Sequence, residues 1–250
     1  MYGKVRIVAC SDIHGCVCSD DISDFAIRRK ANIVVVAGDI QTAYVGRDPR
    51  SYFRDEFLWM CKDLYRHGIE VVAIPGNHDS YLRECLGKDN RKRFCGNLHI
   101  LCDKSETVCG VKFYGTPWVP FINGRWVYEE DDDDIAPKFA KIPKGIDVLI
   151  SHSPPLGFGD AELWDVSMQN PKDQWEHYGS ASLRKVILDK KPRLCICGHI
   201  HTGDHSMQKL GDTGIINVSL IDEGYAPAYQ CADITIDRDS ITFNREDPHD

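Results

Sequence analysis

The chain has 250 residues, of which 42% are hydrophobic and 27% charged, and its net charge is −8. That balance is ordinary for a soluble globular domain. No run approaches the ~20 apolar residues of a membrane-spanning helix, and the acidic excess excludes a protein that coats nucleic acid through a basic face.

No shift in composition divides the sequence, so residues 1–250 read as a single domain. The N-terminus enters a strand directly, with no basic stretch followed by an apolar one, so no secretory leader is read. Eleven cysteines, an odd number, then read as free thiols in a reducing compartment, and the expected location is cytoplasmic. The Cys16-x-Cys18 and Cys195-x-Cys197 pairs are tighter than the spacing of structural zinc sites.

Residues 5–10 (VRIVAC) predict a strand, and the chain leaves it through Ser11-Asp12-Ile13-His14-Gly15. Asp12 and His14 can point together from a strand end; Asp12 reads equally well as the cap of the next helix. Residues 22–30 predict that helix, with a basic end at Arg28-Arg29-Lys30. Residues 33–37 (IVVVA) are continuously apolar, as in a strand covered on both faces, and end in Gly38-Asp39. Here Asp39 is either a turn former or a site carboxylate. Residues 42–50 predict a loop, and Ser51 caps a helix running to Arg66. Residues 69–74 predict a third strand, ending in the polar cluster Pro75-Gly76-Asn77-His78-Asp79.

A helix is expected over residues 80–96, with Arg91-Lys92-Arg93 on a solvated face, then short strands over residues 98–101, 107–109 and 111–114. Residues 119–145 read as a loop or insertion, and its six consecutive acids from Glu129 to Asp134 as solvated loop. Residues 146–150 (IDVLI) predict a strand that ends in Ser151-His152-Ser153-Pro154-Pro155. The Gly- and aromatic-rich residues 156–180 read as an ordered functional loop. Ser180 caps a helix to Lys190, and residues 194–197 (LCIC) form a buried strand that turns at Gly198 into His199-Ile200-His201. Strands over residues 215–218, 229–236 and 241–243 close the fold, and residues 244–250 predict a frayed tail.

Five strand ends thus carry Asp12 with His14, Asp39, Asn77 with His78, His152, and His199 with His201. A hydrophobic core needs no such endings, and in open α/β sheets sites form beyond the carboxyl ends of the strands. Carboxylate, amide oxygen and imidazole suit Mn²⁺, Fe²⁺, Zn²⁺ or Ni²⁺. Even with His78 left aside, seven such ligands are too many for one tetrahedral ion and suit two, with a carboxylate such as Asp39 bridging them.

Asp12-x-His14, Gly38-Asp39, Gly76-Asn77-His78-Asp79, the lone His152 and Gly198-His199-x-His201, in this order over residues 5–201, resemble the calcineurin-like metallophosphoesterase superfamily. The runs from Ser151 to Gly157 and from Asn217 to Glu223 resemble its small branch of animal metallophosphoesterase-domain proteins with bacterial and phage relatives. The resemblance implies an α/β fold, a four-layer αββα sandwich of two mixed sheets flanked by helices. It implies one divalent ion held by Asp12, His14, Asp39 and His201, and a second by Asp39, Asn77, His152 and His199, with Mn²⁺ the first choice. His78 is then a general acid for the leaving oxygen rather than a ligand, and Asp79 orients it or closes the turn. One departure is Thr42, where the broader family often has Asp or Arg; an Arg there would touch the phosphate.

The expected activity is hydrolysis of a small phosphodiester, a cyclic or other nucleotide among them, by attack of a metal-bridged hydroxide. Trp118, Phe158, Trp164 and Tyr44 are the candidate base-stacking residues, against a plain packing role. Alternatives are a nuclease or phosphomonoesterase on the same centre, or a metal-bound scaffold with vestigial activity. No membrane partner is expected, extended nucleic acid is disfavoured, and the chain is a monomer or homodimer.

Overall fold

Alternation along the strands sorts the apolar residues into three layers. In β1 (Val5–Cys10) and β2 (Ile33–Val36), Val8, Cys10, Val34 and Val36 face a helical layer, while Ile7, Ala9, Ile33 and Val35 face a second sheet. Side chains of adjacent strand residues point to opposite faces, so a continuously apolar strand has both faces covered. The computed structural model describes residues 3–41, 48–88, 94–163 and 175–244. Thr42, Tyr44, Arg91-Lys92-Arg93, Trp164 and the tail beyond Asn244 lie outside the described residues.

In chain order the first half holds β1, α1 (Ser19–Arg28), β2, α2 (Pro49–Tyr52), a π-helical turn (Phe53–Phe57), α3 (Leu58–Arg66), β3 (Glu70–Ala73), α4 (Ser80–Lys88) and β4 (Leu98–Ile100). A hairpin of β5 (Lys104–Val108) and β6 (Val111–Thr116) follows, then β7 (Val119–Pro120), β8 (Glu129–Glu130), α5 (Asp132–Phe139) and β9 (Val148–Ser151). The rest is β10 (Ala161–Leu163), β11 (Trp175–His177), α6 (Ala181–Lys190), β12 (Leu194–Cys197), β13 (Gln208–Leu210), β14 (Thr213–Asn217), β15 (Ala232–Ile236) and β16 (Ile241–Asn244).

One sheet runs β16-β15-β1-β2-β3-β4 and the other β13-β14-β12-β9-β6-β5. Both are mixed. The strands from β1 to β4 are parallel and β15 runs against β1, while β6, β9, β12 and β14 are parallel between antiparallel β5 and β13. Ile7, Val35 and Ile234 of the first sheet pack on Phe113, Ile150 and Ile196 of the second. Outside the second sheet, Leu149, Cys195 and Cys197 pack on Ile135 and Phe139 of α5 and Leu183 and Ile187 of α6. Helix, sheet, sheet, helix is the four-layer α/β sandwich that the family resemblance implies. The two sheets meet where Ser11 bridges Ser219, so the carboxyl ends of β1, β2, β3, β9 and β12 open on one crevice.

Several boundaries differ for identifiable reasons. The helix expected from Ser51 begins at Pro49, because Asp48 accepts from Arg50 N and Pro49 presets the first turn. Cys109 belongs to the turn and not to β5: it and Gly110 both have positive φ (49° and 83°), the geometry of a two-residue hairpin. Residues 119–145 are not simply a loop. Glu129 and Glu130 pair with β7, and Asp132, Asp133 and Asp134 form the first turn of α5, where the helix dipole favours negative charge. Asp132 also ties α5 to α6, accepting from Ser182 N at 2.9 Å and from the hydroxyls of Ser180 and Ser182. Within residues 156–180, β10 and β11 pair as a small antiparallel ribbon. Asn244, expected in the frayed tail, is the last residue of β16.

Candidate metal centre

The strands β1, β2, β3, β9 and β12 end at the crevice, and the turn after each carries the polar residues of the site. The backbone there is unusual. Asp12, His14, Asp39 and His199 all have positive φ, at 54°, 47°, 51° and 71°. Asp and His are among the few side chains that tolerate this left-handed region, and strained backbone clusters at functional sites. Glycine supplies the close approach. A Cβ at Gly76 would overlap Asp39 Oδ1, and one at Gly198 would overlap Ser11 Oγ and Asp12 Oδ2.

Asp12 is fully buried, and its two oxygens differ. Oδ2 accepts from Ser11 Oγ (2.5 Å), Ser219 Oγ (2.7 Å) and His199 N (3.0 Å), while Oδ1 has no hydrogen-bond partner among the described residues. Oδ1 lies 3.5 Å from His201 Nε2 and 3.8 Å from His14 Nε2. His201 Nδ1 stands 3.2 Å from the carbonyl of Asp222, which can only accept, so Nδ1 carries the hydrogen and Nε2 is free to ligate. Among the described residues, both ring nitrogens of buried His14 lack hydrogen-bond partners.

The second group repeats this logic. His152 Nδ1 donates to the carbonyl of Ala37 at 2.8 Å, which leaves Nε2 facing Asn77 Oδ1 at 2.9 Å and Asp39 Oδ2 at 3.3 Å. Three acceptor atoms converge there, and only a proton or a cation between them relieves it. Asp39 Oδ2 is also 3.4 Å from His14 Nε2, so this one oxygen faces both groups. Asp39 Oδ1 accepts from His78 N at 2.8 Å. Ligand atoms of Asp12, His14 and His201, of His14, Asp39 and His78, and of Asp39, His152 and His199 form three sets, each within 4.8 Å. Unsatisfied buried oxygens and imidazole nitrogens aimed at common points fit divalent cations.

The charge states follow from burial against neighbouring carboxylates. Burial holds His14 down to about 4 and His199 to about 3, so both are neutral. Burial opposes charge on His152 and His201 as well, but Asp39 outweighs it at His152 and Asp12 at His201, raising each to about 9. Burial also opposes charge on Asp12 and Asp39, yet the histidines around them hold both carboxyls well below the usual range.

His78 lies between two rings: His14 is edge-on at 4.7 Å and Trp126 stacks on it at 4.0 Å. Asp79 spends both oxygens on backbone. Oδ2 accepts from Gly76 N (2.7 Å) and Ile40 N (3.2 Å), and Oδ1 from Gln41 N (2.8 Å). It therefore closes the turn that carries His78 rather than touching the His78 ring. Burial and the neighbouring Asp39 push Asp79 up to about 7.

A family profile described as calcineurin-like phosphoesterase matches residues 5–203. The chain belongs to this family. Human metallophosphoesterase domain-containing protein 1 is 33% identical over 247 residues, covering 90% of this chain and 69% of the human protein. UPF0046 protein C25E10.12 of Caenorhabditis elegans is 34% identical over 172 residues, covering 63% of this chain and 58% of the worm protein. The chain thus spans well short of the full length of these relatives. One solved structure superposes with a TM-score of 0.63 at 17% identity, covering 97% of this chain and 99% of its own. The likeness to that structure is one of fold.

A cavity beside the centre has a volume of about 600 Å³. Its walls carry Phe121, Ile122, Trp126 and Tyr225, which sequence reading gave no role, and His177 and Tyr178 from the stretch 156–180 read as a functional loop. Tyr225 sits edge-on to His14 at 5.1 Å and to His201 at 5.6 Å. Trp118 and Phe158, two candidates for base stacking, lie off this lining and pack instead. Trp118 Nε1 donates to Asp103 at 2.7 Å with Lys138 over its ring, and Phe158 packs in the α5–α6 layer under Arg184. Among the described residues no helix is long and apolar enough to cross a membrane.

Proposed function

We propose that this chain hydrolyses a small phosphodiester, a cyclic or other nucleotide, at two divalent cations, Mn²⁺ being the first choice. The observation that carries the reading is Asp39: a single carboxylate oxygen faces His14 at 3.4 Å and His152 at 3.3 Å, each part of a separate donor group. In this assignment Asp12, His14, Asp39 and His201 hold one ion, and Asp39, Asn77, His152 and His199 the other. Such an ion pair, when bound, neutralises phosphoryl charge and lowers the pKa of coordinated water. Ser11, Ser219 and the His199 backbone orient Asp12, and Ala37 and Asp222 fix the tautomers of His152 and His201. His78 gives a proton to the departing ester oxygen, and Trp126 limits where its ring can turn. A cavity of about 600 Å³ is the size of a small-molecule site, and its exposed Trp126 offers a flat face to a base.

The test is a metal-reconstituted screen of 4-nitrophenyl phosphate, bis(4-nitrophenyl) phosphate and cyclic nucleotides, with His78→Ala beside the wild type. Diester hydrolysis is expected to exceed monoester hydrolysis. A general acid matters for an alkoxide leaving group and hardly for nitrophenolate, so His78→Ala is expected to cost ~10²–10⁴-fold on a cyclic nucleotide and far less on the nitrophenyl ester. An equal loss on both removes the general-acid role. No metal-dependent hydrolysis of any ester removes the enzyme reading and leaves a binding protein.

A further inference from the structure

The cavity contains one more imidazole, which the proposed chemistry does not use. His177, at the end of β11, lines the cavity with 49% of its side chain exposed, and Asp160 stands behind it at 1%. His177 Nδ1 lies 2.8 Å from Asp160 Oδ1. The other oxygen, Oδ2, accepts from Gly157 N at 2.9 Å and Gly179 N at 3.0 Å. A carboxylate locked by two backbone donors presents a fixed acceptor to the imidazole. Nδ1 therefore carries the hydrogen, and Nε2 is the ring atom left for a further partner.

Two observations turn this pair toward the substrate. Among the described residues, His177 is the one histidine of the cavity lining that belongs to none of the three ligand sets. Among the described residues, no lysine or arginine lines the cavity. A site that takes an anion with so few cationic side chains must draw its remaining donors from histidine, backbone or hydroxyl groups.

The geometry points to His177 as a substrate-binding residue that donates from Nε2, as the imidazolium, to a phosphate oxygen, with Asp160 as its positioning residue. This rests on the phosphoesterase reading above. His177 forms no bond with the reacting atoms; it holds the anion in the cavity.

The test uses the full, metal-loaded chain and its His177→Ala and His177→Gln variants. Hydrolysis of methyl 4-nitrophenyl phosphate and of bis(4-nitrophenyl) phosphate is measured, and inorganic phosphate binding is followed by calorimetry. Losing one charge-assisted hydrogen bond is expected to raise KM for both esters roughly tenfold, to weaken phosphate binding by a similar factor and to leave kcat within about threefold. Gln, which keeps a donor, is expected to recover part of the loss, and the metal content is expected to stay at the wild-type level. Asp160→Asn is expected to weaken phosphate binding in the wild-type background but not further in His177→Ala. Unchanged phosphate affinity in His177→Ala overturns the inference, as does a KM effect confined to the bulkier ester, which would place His177 on the ester group. If the wild type hydrolyses neither ester the phosphoesterase reading fails, and phosphate calorimetry alone still decides the role of His177.

Discussion

Asp79→Ala has a cost that can be worked from contacts. The Asp79 side chain is fully buried and accepts three backbone N–H groups, from Gly76 (2.7 Å), Gln41 (2.8 Å) and Ile40 (3.2 Å). Those donors lie in the turns after β3 and β2, so one carboxylate ties together the two turns that carry Asn77 with His78 and Asp39. Alanine leaves three donors without their partner. At about 1–3 kcal/mol per buried unsatisfied group, with some relief from relaxation, the loss comes to about 3–6 kcal/mol. Domains of this kind have a net stability of about 5–15 kcal/mol, so the variant is expected to be near the edge of folding. Asparagine keeps one acceptor oxygen and is expected to cost about half as much. Urea unfolding of the metal-free chain, followed by far-ultraviolet circular dichroism, measures both. A loss below about 1 kcal/mol for alanine would mean that the turns are held without the carboxylate, and the reasoning would fail.

Other consequences can be checked separately. His201→Ala is expected to retain one ion per chain where the wild type retains two, because Asn77, His152 and His199 remain; elemental analysis that finds both ions, or neither, contradicts the assignment. Before an ion binds, His152 and His201 are protonated below about 9, while His14 (about 4) and His199 (about 3) are neutral. Loading at pH 7 must therefore release protons from His152 and His201, and affinity is expected to fall as pH drops below 9; calorimetry in buffers of different ionisation enthalpy that finds no release refutes this. Glu129 accepts four backbone donors, from Ile122, Asn123, Gly124 and Trp126, so Glu129→Ala is expected to speed tryptic cleavage at Arg125 severalfold without unfolding the domain. Burial opposes the charge of Glu129, but those donors hold its carboxyl below the usual range, so the turn is stabilised above the ordinary carboxyl pKa and loosens as pH falls through the folded value; unchanged protection at acid pH counts against that role.

The covered strands were readable because strand chemistry is local, whereas the arrangement of two sheets between helices was implied by the family resemblance. Runs such as IVVVA and LCIC have no polar face, so each demanded cover on both sides, and three core layers supply it. The candidate residues stood out for the opposite reason: Asp12, His14, Asp39, Asn77, His78, His152, His199 and His201 are what a core does not use at strand ends, and only the family resemblance sets His78 apart from the ligands. The run from Glu129 to Asp134 misled because composition alone cannot separate solvated loop from helix N-terminus, where the same charges are stabilising. Neither β7 nor β8, two residues each, has a period to detect. Of the cavity wall beyond the centre, only the stretch 156–180 was flagged as a functional loop, and none of its lining residues was given a role. His177 acquires its place from Asp160, seventeen residues earlier, and Tyr225 from rings brought in by β1 and β12.

The centre also explains where the fold holds its strain. Four of the seven ligand candidates sit in the left-handed region, a conformation that costs a non-glycine residue roughly 1 kcal/mol or more. Summed over Asp12, His14, Asp39 and His199, about 4 kcal/mol is a large share of the ~5–15 kcal/mol that holds a domain together. It persists because β1 and β2, in the interior of one six-stranded sheet, and β12, in the interior of the other, are anchored on both sides and buried on both faces. An edge strand would relax instead. The same anchoring sets His14 Nε2, Asp39 Oδ2 and His152 Nε2 in sequence with gaps of 3.4 Å and 3.3 Å, although their residues come from three different strand ends. Strand interiors thus supply the stability, and strand ends spend part of it on holding mutually repelling acceptor atoms together, an arrangement whose natural partner is positive charge.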